Sequence, residues 1–391
     1  MFFSARARFI FYSAIIMVLS PFLFAVARAR RNGARARIIA RTPRVLVIPV
    51  ITRVGDVVCS TPVYRQLKIS FPDSNLSVVV AHKVFDILKN NPRINNLIDY
   101  NAPQFCGFLR RGRFFLSLFY GKYDAVISLG SSPLGTISAL ASASPIRIKT
   151  SVPSPSFFEI CTDWMNTDLF LYKTGTFLQN HYVKLLSVLE IKSEKPVKEV
   201  FTTKESDEKA KNFLSSSFGG QVRLIIGITV SAGNKIKEWP LSRFAELADI
   251  LIEKYEARIV FIDSVLNSGM VEKTISLMKN KKETVRAIHF SLEELPSLIK
   301  RLSAFIAVDT GAIYIAHALR VPLIDIIGPV EPNEQPPNDE RSIQILPKGN
   351  IAPTSFVLAV PVRGAKHLDA VLSINVSDVL RGFEKLHELI L

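Results

Sequence analysis

Cysteine is scarce in this sequence, and the motifs of two large nucleotide-binding classes are missing. The three cysteines, Cys59, Cys106 and Cys161, are far apart among 391 residues and form no CxxC pair. This excludes a disulfide framework and a zinc site and fits a reducing compartment. The sequence contains no GxxxxGK[ST] loop and no GxGxxG after its first predicted strand, which argues against a P-loop protein and a soluble dinucleotide enzyme.

The composition also differs from that of a polytopic membrane protein and from that of a disordered chain. The mean hydropathy of +0.24 is low for a polytopic membrane protein. Charged residues make up 21% of the chain and 26 residues are phenylalanine, which excludes an intrinsically disordered protein. The length predicts two domains that each bury a core.

Acidic residues are absent from positions 1–44, which hold nine arginines. Removing these nine leaves 40 basic against 34 acidic residues, so the net charge falls from +15 to +6. The basic excess is therefore a property of the N-terminus: Arg6, Arg8, Arg28, Arg30, Arg31, Arg35, Arg37, Arg41 and Arg44.

An uncharged run of 19 residues, 9–27, lies among these arginines. Because about 20 apolar residues span a bilayer as a helix, the run predicts a transmembrane helix. Pro21 would kink it, which leaves open a re-entrant or in-plane helix.

A signal peptide cleaved after Ala25-Val26-Ala27 would also account for this N-terminus, as would a nucleic-acid-binding arm. The arginines that follow the run favour a cytoplasmic location for this flank of the chain. They also favour contact with anionic lipid headgroups, where each arginine contributes about 1 kcal/mol to binding. We therefore expect contact with membrane lipid through residues 9–37, no nucleic-acid partner, and a location on the cytoplasmic side of the cell inner membrane.

Beyond the N-terminus, apolar runs of strand length alternate with amphipathic helical stretches, which predicts parallel sheets in an α/β fold. We expect two Rossmann-like domains that face a cleft, and a last helix that packs back on the first domain. The predicted divisions are an anchor with its juxtamembrane segment (1–43), an N-terminal domain (44–205), a C-terminal domain (206–375) and a terminal helix (376–391). Strands are predicted at 45–50, 76–81, 123–129, 145–150, 222–230, 257–263, 285–290, 303–309 and 321–328.

The first candidate motif follows the first strand. Ligands of open α/β sheets bind at the carboxyl ends of strands, where Gly55 permits close backbone approach and Asp56 offers a carboxylate. Asp is also a favoured helix N-cap, and Pro62 predicts a helix start nearby with Thr61 as its cap. Spacing alone does not separate a catalytic Asp56 from a capping one.

The second motif follows the strand at 222–230. Small polar residues there precede Lys235 and Lys237, then Trp239-Pro240 at the start of a helix. A lysine beside a helix N-terminus suits a phosphate group. An exposed lysine pair accounts for the same residues equally well.

The third motif is Asp309-Thr310-Gly311, where a strand ends and a helix begins at once. The unsatisfied N–H groups of a helix N-terminus bind anions. An Asp-Thr cap would explain the helix but not the glycine in its first turn, which lowers helix stability. This motif favours an anion site.

Together the three motifs resemble glycosyltransferase family 9, the ADP-heptose:lipopolysaccharide heptosyltransferases, over about residues 44–340. The stretches that carry the resemblance include GDVVCSTPVYRQLKISFPDSNLSVVV, KEWPLSRFAELADIL and SLEELPSLIKRLSAFIAVDTG. The resemblance implies the GT-B architecture, an N-terminal acceptor domain and a C-terminal nucleotide-sugar domain. It also implies inversion of the anomeric configuration with no metal and no cofactor. No DxD carboxylate pair occurs in the chain.

The resemblance also assigns site residues. Asp56 matches the general base that takes a proton from the acceptor hydroxyl, a role that contributes roughly 10²–10⁴ in rate. Lys237 matches the lysine on the donor diphosphate, where a fixed cation stabilises the leaving nucleotide. The remaining matches all face the donor: Thr229, Ser231, Glu272 (at the nucleoside), Asp309, Thr310 and Gly311.

One position departs from the family. Tyr314 stands where family members usually have histidine, and His317 lies one turn later. Because tyrosine donates a hydrogen bond but carries no positive charge near pH 7, this departure bears on the donor sugar. His317 as an ordinary helix residue, Trp239 as a packing anchor and Cys59 as a buried thiol are the structural alternatives.

The resulting hypothesis is an inverting glycosyltransferase that moves a sugar from an ADP-activated donor to a lipopolysaccharide-type or other glycan or glycolipid acceptor, and the resemblance implies that the sugar is a heptose. The alternative is a membrane-associated nucleotide-sugar-binding protein of the same fold without catalysis.

Overall fold

A computed structural model describes residues 5–219, 224–349, 351–359 and 368–389. The chain divides into two compact units. Unit 1 holds the described residues up to 174 together with 178–197, and unit 2 holds 175–177 and the described residues from 198 onward. Each unit contains one parallel six-stranded sheet, which confirms the predicted α/β class. The predicted divisions at 43/44, 205/206 and 375/376 stay predictions.

The sheet of unit 1 has the strand order β3-β2-β1-β4-β5-β6. The order reverses between β1 and β4, whose paired residues run from Val45 opposite Ala125 to Ile48 opposite Ser128. The loops after these two strands therefore leave the sheet at the same edge, where open α/β sheets bind ligands. The strands are β1 (Arg44–Ile48), β2 (Asn75–Val80), β3 (Asn96–Asp99), β4 (Ala125–Ser128), β5 (Ile146–Ser151) and β6 (Asp168–Leu171).

The helices of unit 1 cover this sheet and include two N-terminal helices that precede it. They are α1 (Ala5–Val18), α2 (Ser20–Ile39), α3 (Val54–Ser70), α4 (His82–Phe85), α5 (Phe108–Tyr120), α6 (Pro133–Ala141), α7 (Phe157–Asp163) and α8 (Leu178–Lys184), with 3₁₀ turns at Pro103–Phe105 and Leu185–Leu189.

The predicted helix start at Thr61 and Pro62 is wrong, because α3 begins at Val54 and continues through Pro62. Proline has no N–H, so the carbonyl of Val58 loses its usual partner four residues later. The hydroxyl of Thr61 donates to that carbonyl at 2.7 Å and replaces the missing bond. The threonine thus stabilises the helix interior rather than its start.

The sheet of unit 2 has the order β12-β11-β10-β7-β8-β9 and reverses between β7 and β10. Its strands are β7 (Ile225–Thr229), β8 (Arg258–Ile262), β9 (Thr284–Ala287), β10 (Ala304–Val308), β11 (Leu323–Ile326) and β12 (Ser342–Ile345). Its helices are α9 (Lys204–Phe218), α10 (Leu241–Tyr255), α11 (Ser268–Leu277), α12 (Leu295–Ile299), α13 (Gly311–Ala318), α14 (Leu368–Leu372) and α15 (Val376–His387), with 3₁₀ turns at Lys235–Lys237, Val265–Asn267, Lys281–Glu283 and Val357–Ala359.

Two sequence expectations for unit 2 change. The last helix, α15, buries Phe383 and Leu386 in the core of unit 2, so the expectation that it packs on the first domain is wrong. The predicted strand 222–230 begins at Ile225, and its first two positions, 222 and 223, lie outside the described residues.

The N-terminal apolar run does not form one straight helix. Within the described residues, no single helix has the length and apolarity to cross a membrane; the pair 9–18 and 20–39, bent by 65°, meets that requirement only on length and composition. Ile16 and Leu23 of this pair are buried in the core of unit 1.

Two arginines of α2 bind other parts of unit 1, although the sequence predicted lipid contact for this region. The guanidinium of Arg37 binds both carboxylate oxygens of the buried Asp124, and Arg30 donates to the Ser142 carbonyl at 2.9 Å. Asp124 also accepts from the backbone N–H of Arg44 at 2.8 Å, so one carboxylate joins α2 to the first strand. The end of α2 is therefore part of unit 1.

We predict that Arg37→Met lowers the free energy of unfolding of unit 1 by about 2 kcal/mol, because hydrogen bonds to a charged group contribute about 1.5–3 kcal/mol. Urea denaturation followed by circular dichroism measures the loss. Arg35→Met on the exposed face of α2 is the matched control and leaves the transition unchanged. Equal transitions for the two variants would contradict the role given to Arg37.

Candidate active site

Asp56 lies in the first turn of α3, directly after the loop that follows β1. Asp56 is 3% exposed, and the preceding Gly55 is also buried. Because α3 begins at Val54 with Arg53 as its N-cap, Asp56 is not the capping residue that the sequence left as an alternative. The positive end of the helix dipole favours an anion at this position.

Helix α8 packs beside Asp56 and supplies side chains that the sequence did not single out. Tyr182 is buried, and its burial raises the pKa of the phenol well above its usual range, with a further rise from the nearby Asp56. The phenol therefore keeps its proton at neutral pH. Gln179 donates to the Cys59 thiol at 2.9 Å, so Cys59 is the buried thiol expected as its structural alternative.

In unit 2, the carboxylate of Asp309 lies at the end of β10 and joins two of the predicted site residues. It accepts a hydrogen bond from the Lys237 ammonium at 2.5 Å on Oδ2 and from the Tyr314 hydroxyl at 2.5 Å on Oδ1. The Lys237 side chain is 12% exposed, and its Nζ lies 4.2 Å from the ring centroid of Phe356. Since an ammonium has three N–H donors and Asp309 takes one, Lys237 retains capacity to bind an anion.

The N-terminus of α13 adjoins this cluster. Thr310 is the N-cap residue and Gly311 the first helical residue, yet the Thr310 side chain makes no capping hydrogen bond. The alternative of an Asp-Thr cap therefore does not account for the threonine. The N–H groups at a helix N-terminus and the helix dipole favour an anionic group, and this applies to the start of α13.

A second carboxyl group, Asp325, lies on the neighbouring strand β11 and is fully buried. Among the described residues, neither of its oxygens has a hydrogen-bond partner. Burial, together with the nearby Asp309, raises the pKa of Asp325 well above its usual range. Since this favours the neutral acid, Lys237 faces one negative carboxylate rather than two, which makes the cluster more tolerant of an added anion.

The small polar residues after β7 form hydrogen bonds at the same end of the sheet. The Thr229 hydroxyl donates to the Ile262 carbonyl at 2.8 Å, a bond between β7 and β8. Ser231 donates to Asp263 at 2.9 Å, and Asn267 donates to Ser231 at 2.8 Å. Thr229 thus joins two strands, while Ser231 belongs to a polar group whose other members, Asp263 and Asn267, the sequence did not indicate.

Lys198 brings a cation close to the rings of Tyr314 and His317. Its ammonium lies 5.6 Å from the ring centroid of Tyr314 and 3.2 Å from Nδ1 of His317, whose Nε2 lies 3.0 Å from Asp339. Burial lowers the pKa of His317, and the nearby Lys198 lowers it further, while Asp339 opposes both. Two charged groups therefore contact the ring of His317, which the sequence did not indicate.

The other predicted positions are separate from these contacts. Glu272 is exposed on α11 and forms an ion pair with Arg286 at 2.8 Å. Trp239 is 1% exposed and donates to the Ile374 carbonyl at 2.9 Å, so it is the packing anchor expected as its structural alternative. Across the described ranges, no group of three His, Cys, Asp or Glu side chains has the arrangement of a metal site.

Comparison with known proteins gives matches both in sequence and in fold. A lipooligosaccharide heptosyltransferase 2 of Haemophilus influenzae is 26% identical over 320 residues, which cover 76% of this chain and 87% of that protein. Among solved structures, a family 9 glycosyltransferase of Veillonella parvula has a TM-score of 0.71 at 21% identity, covering 88% of this chain and 97% of that one. The ADP-heptose LPS heptosyltransferase II of E. coli has a TM-score of 0.69 at 19% identity, covering 89% and 98%.

These two structural matches show that the fold is similar to that of GT-B heptosyltransferases. The family model described as glycosyltransferase family 9 (heptosyltransferase) matches residues 112–355, more than half of the chain. The protein belongs to glycosyltransferase family 9 and is a glycosyltransferase.

Proposed function

We propose that the protein transfers a heptose from an ADP-heptose donor to a lipopolysaccharide-type acceptor, with inversion and without a metal. The observation that carries the proposal is the contact of Lys237 and Tyr314 with Asp309 beside the N-terminus of α13. A diphosphate fits this arrangement, because one cation and the N-terminus of a helix adjoin it. The name of the similar E. coli enzyme, ADP-heptose LPS heptosyltransferase II, supports the choice of donor.

The proposed reaction uses Asp56 as the base. Its carboxylate takes the proton of the acceptor hydroxyl, and the hydroxyl oxygen forms a bond to the anomeric carbon of the donor. The bond from that carbon to the diphosphate breaks, and its electron pair leaves with ADP. Attack opposite the leaving group inverts the anomeric carbon.

Unit 2 stabilises the leaving group in this proposal. Negative charge grows on the diphosphate as its bond to the sugar breaks, and Lys237 with the first turn of α13 faces that charge. These groups take the part that a metal ion has in metal-dependent transferases. The neutral form of Asp325, favoured by burial and by the nearby Asp309, limits the repulsion of the diphosphate. Ser231, Thr229, Gly311 and Glu272 are proposed to line the rest of the donor site, and Gly55 to border the acceptor.

The proposed acceptor is a glycan or glycolipid at the inner face of the cell inner membrane. Residues 9–37 attach the protein to membrane lipid, since they combine the apolar run with a flank of exposed arginines. A lipid-linked acceptor and a membrane-attached enzyme then share one surface, which raises their encounter rate.

Asp56→Asn tests the base. The amide keeps the size of the side chain but cannot accept the proton, so turnover falls by about 10²–10⁴ while the dissociation constant for ADP changes less than about twofold. The assay follows labelled heptose from ADP-heptose to a lipopolysaccharide acceptor, and calorimetry follows ADP. Turnover equal to that of the wild type would remove Asp56 from the role of base.

Lys237→Met tests the diphosphate contact. Loss of a charge-assisted hydrogen bond raises the dissociation constant for ADP at least about tenfold, whereas adenosine binding stays the same. Lys235→Met, an exposed lysine in the same 3₁₀ turn, is the matched control and leaves both constants unchanged. Equal effects of the two substitutions on ADP would show that Lys237 has no special contact with it.

The alternative, a nucleotide-sugar-binding protein without catalysis, rests on Tyr314 in place of the family histidine. It predicts that ADP-heptose raises the melting temperature while no heptose is transferred and no donor is hydrolysed. Transfer by the wild-type protein excludes it.

A further inference from the structure

Exposed apolar side chains concentrate on three parts of unit 1. The residues of α7 with its C-cap are the most pronounced group, since Phe157 is 76% exposed and Trp164 is 63% exposed. Leu116 and Tyr120 of α5 are exposed as well, as are Val18 and Phe22 at the bend between α1 and α2. We call the exposed apolar side chains of α5, α7 and this bend the three-helix apolar surface.

Ring contacts show that these three parts adjoin one another. Phe22 at the bend stacks on Phe119 of α5 with 6.5 Å between ring centroids. Phe24 of α2 lies 6.0 Å from the Trp164 ring beside α7. The start of α2, which follows the bend, therefore contacts α5 through Phe22 and the end of α7 through Phe24, so the three groups of apolar side chains adjoin one another. Contiguous apolar areas of this kind mark interaction sites.

The charges around this surface are basic. Residues 1–55 and 100–123 contain no aspartate and no glutamate. The exposed arginines on the same helices are Arg28, Arg31 and Arg35 of α2 and Arg110 and Arg113 of α5.

The acidic residues of α7 do not offset this charge, because other groups bind them. Glu159 is buried and forms a capping box with Ser156 at the start of the helix. Asp163 forms an ion pair with the buried Lys149 at 2.5 Å. The surface is thus apolar with a basic border, which is complementary to a bilayer with anionic headgroups. A purely polar partner, even an acidic one, would match the border but leave the apolar side chains uncovered.

We propose that the three-helix apolar surface inserts into the boundary between headgroups and acyl chains of an anionic bilayer, with α5 and α7 adding to the N-terminal segment. Aromatic side chains favour this boundary, and the arginines reach the lipid phosphates. The proposal rests on the membrane partner proposed for residues 9–37 and extends it to a second stretch of the chain. It does not depend on the transferase reaction.

The two tryptophans of the chain allow a direct test. Trp164 is in the surface, while Trp239 is 1% exposed in unit 2, so only Trp164 can respond to lipid. Vesicles of phosphatidylglycerol and phosphatidylethanolamine are expected to shift the emission of the full-length protein to shorter wavelength. Brominated acyl chains are expected to quench this emission. Trp164→Phe removes both effects, and phosphatidylcholine vesicles give weaker binding.

Affinity measurements supply an independent readout. The double substitution Phe157→Ser and Ile160→Ser removes apolar area that inserts into lipid, and we expect at least about tenfold weaker vesicle binding. Both side chains are exposed, so the fold tolerates the change. Leu277→Ser, at a 51% exposed leucine on α11 of unit 2, is the matched control and leaves binding unchanged.

Each remaining outcome overturns the proposal in a recognisable way. Vesicle binding without a change at Trp164 would mean that residues 9–37 attach the protein alone. Absence of vesicle binding would remove the membrane partner as well. A shift that depends on protein concentration and not on lipid would assign the surface to a second copy of the chain. None of these results bears on heptose transfer, which is assayed separately.

Discussion

The proposed donor site of this enzyme depends on the contacts of one carboxylate, that of Asp309. It lies where the strand order of unit 2 reverses, and each of its oxygens accepts a hydrogen bond, from Lys237 and from Tyr314. These two bonds hold a lysine from the turn before α10 and a tyrosine from α13 at the end of β10. The parallel sheet makes this arrangement possible, because it brings the carboxyl ends of β7, β10 and β11 to one edge.

Charge balance makes the cluster compatible with the proposed anionic ligand. Asp325, buried on β11, would add a second negative charge beside Asp309, but burial and that neighbour raise its pKa well above its usual range. Lys198 adds a cation close to the Tyr314 ring. Tyr314 thus lies in a setting that has its own positive charge, which is compatible with the proposed diphosphate.

The sequence predicted the central strands of both sheets, because these are buried on both faces and appear as continuous apolar runs, and it also predicted one edge strand, β9. It missed β3, β6 and β12, which all lie at sheet edges, where partial exposure breaks the run. For the candidate site, the three motifs indicated the residues that lie at the ends of strands. The sequence does contain a feature that points to Asp325, because it is a single acidic residue within an apolar strand. No sequence feature indicates Lys198, because its contacts with Tyr314 and His317 span more than 100 residues.

In the proposed mechanism, unit 2 binds the diphosphate of the donor through Lys237 and the first turn of α13. Calorimetric titration of the wild-type protein with ADP and with adenosine isolates this contact, because the two ligands differ only in the diphosphate. We predict that ADP binds at least about tenfold more tightly and that added salt reduces this difference. Equal affinities for ADP and adenosine would contradict the assignment of the diphosphate to this cluster.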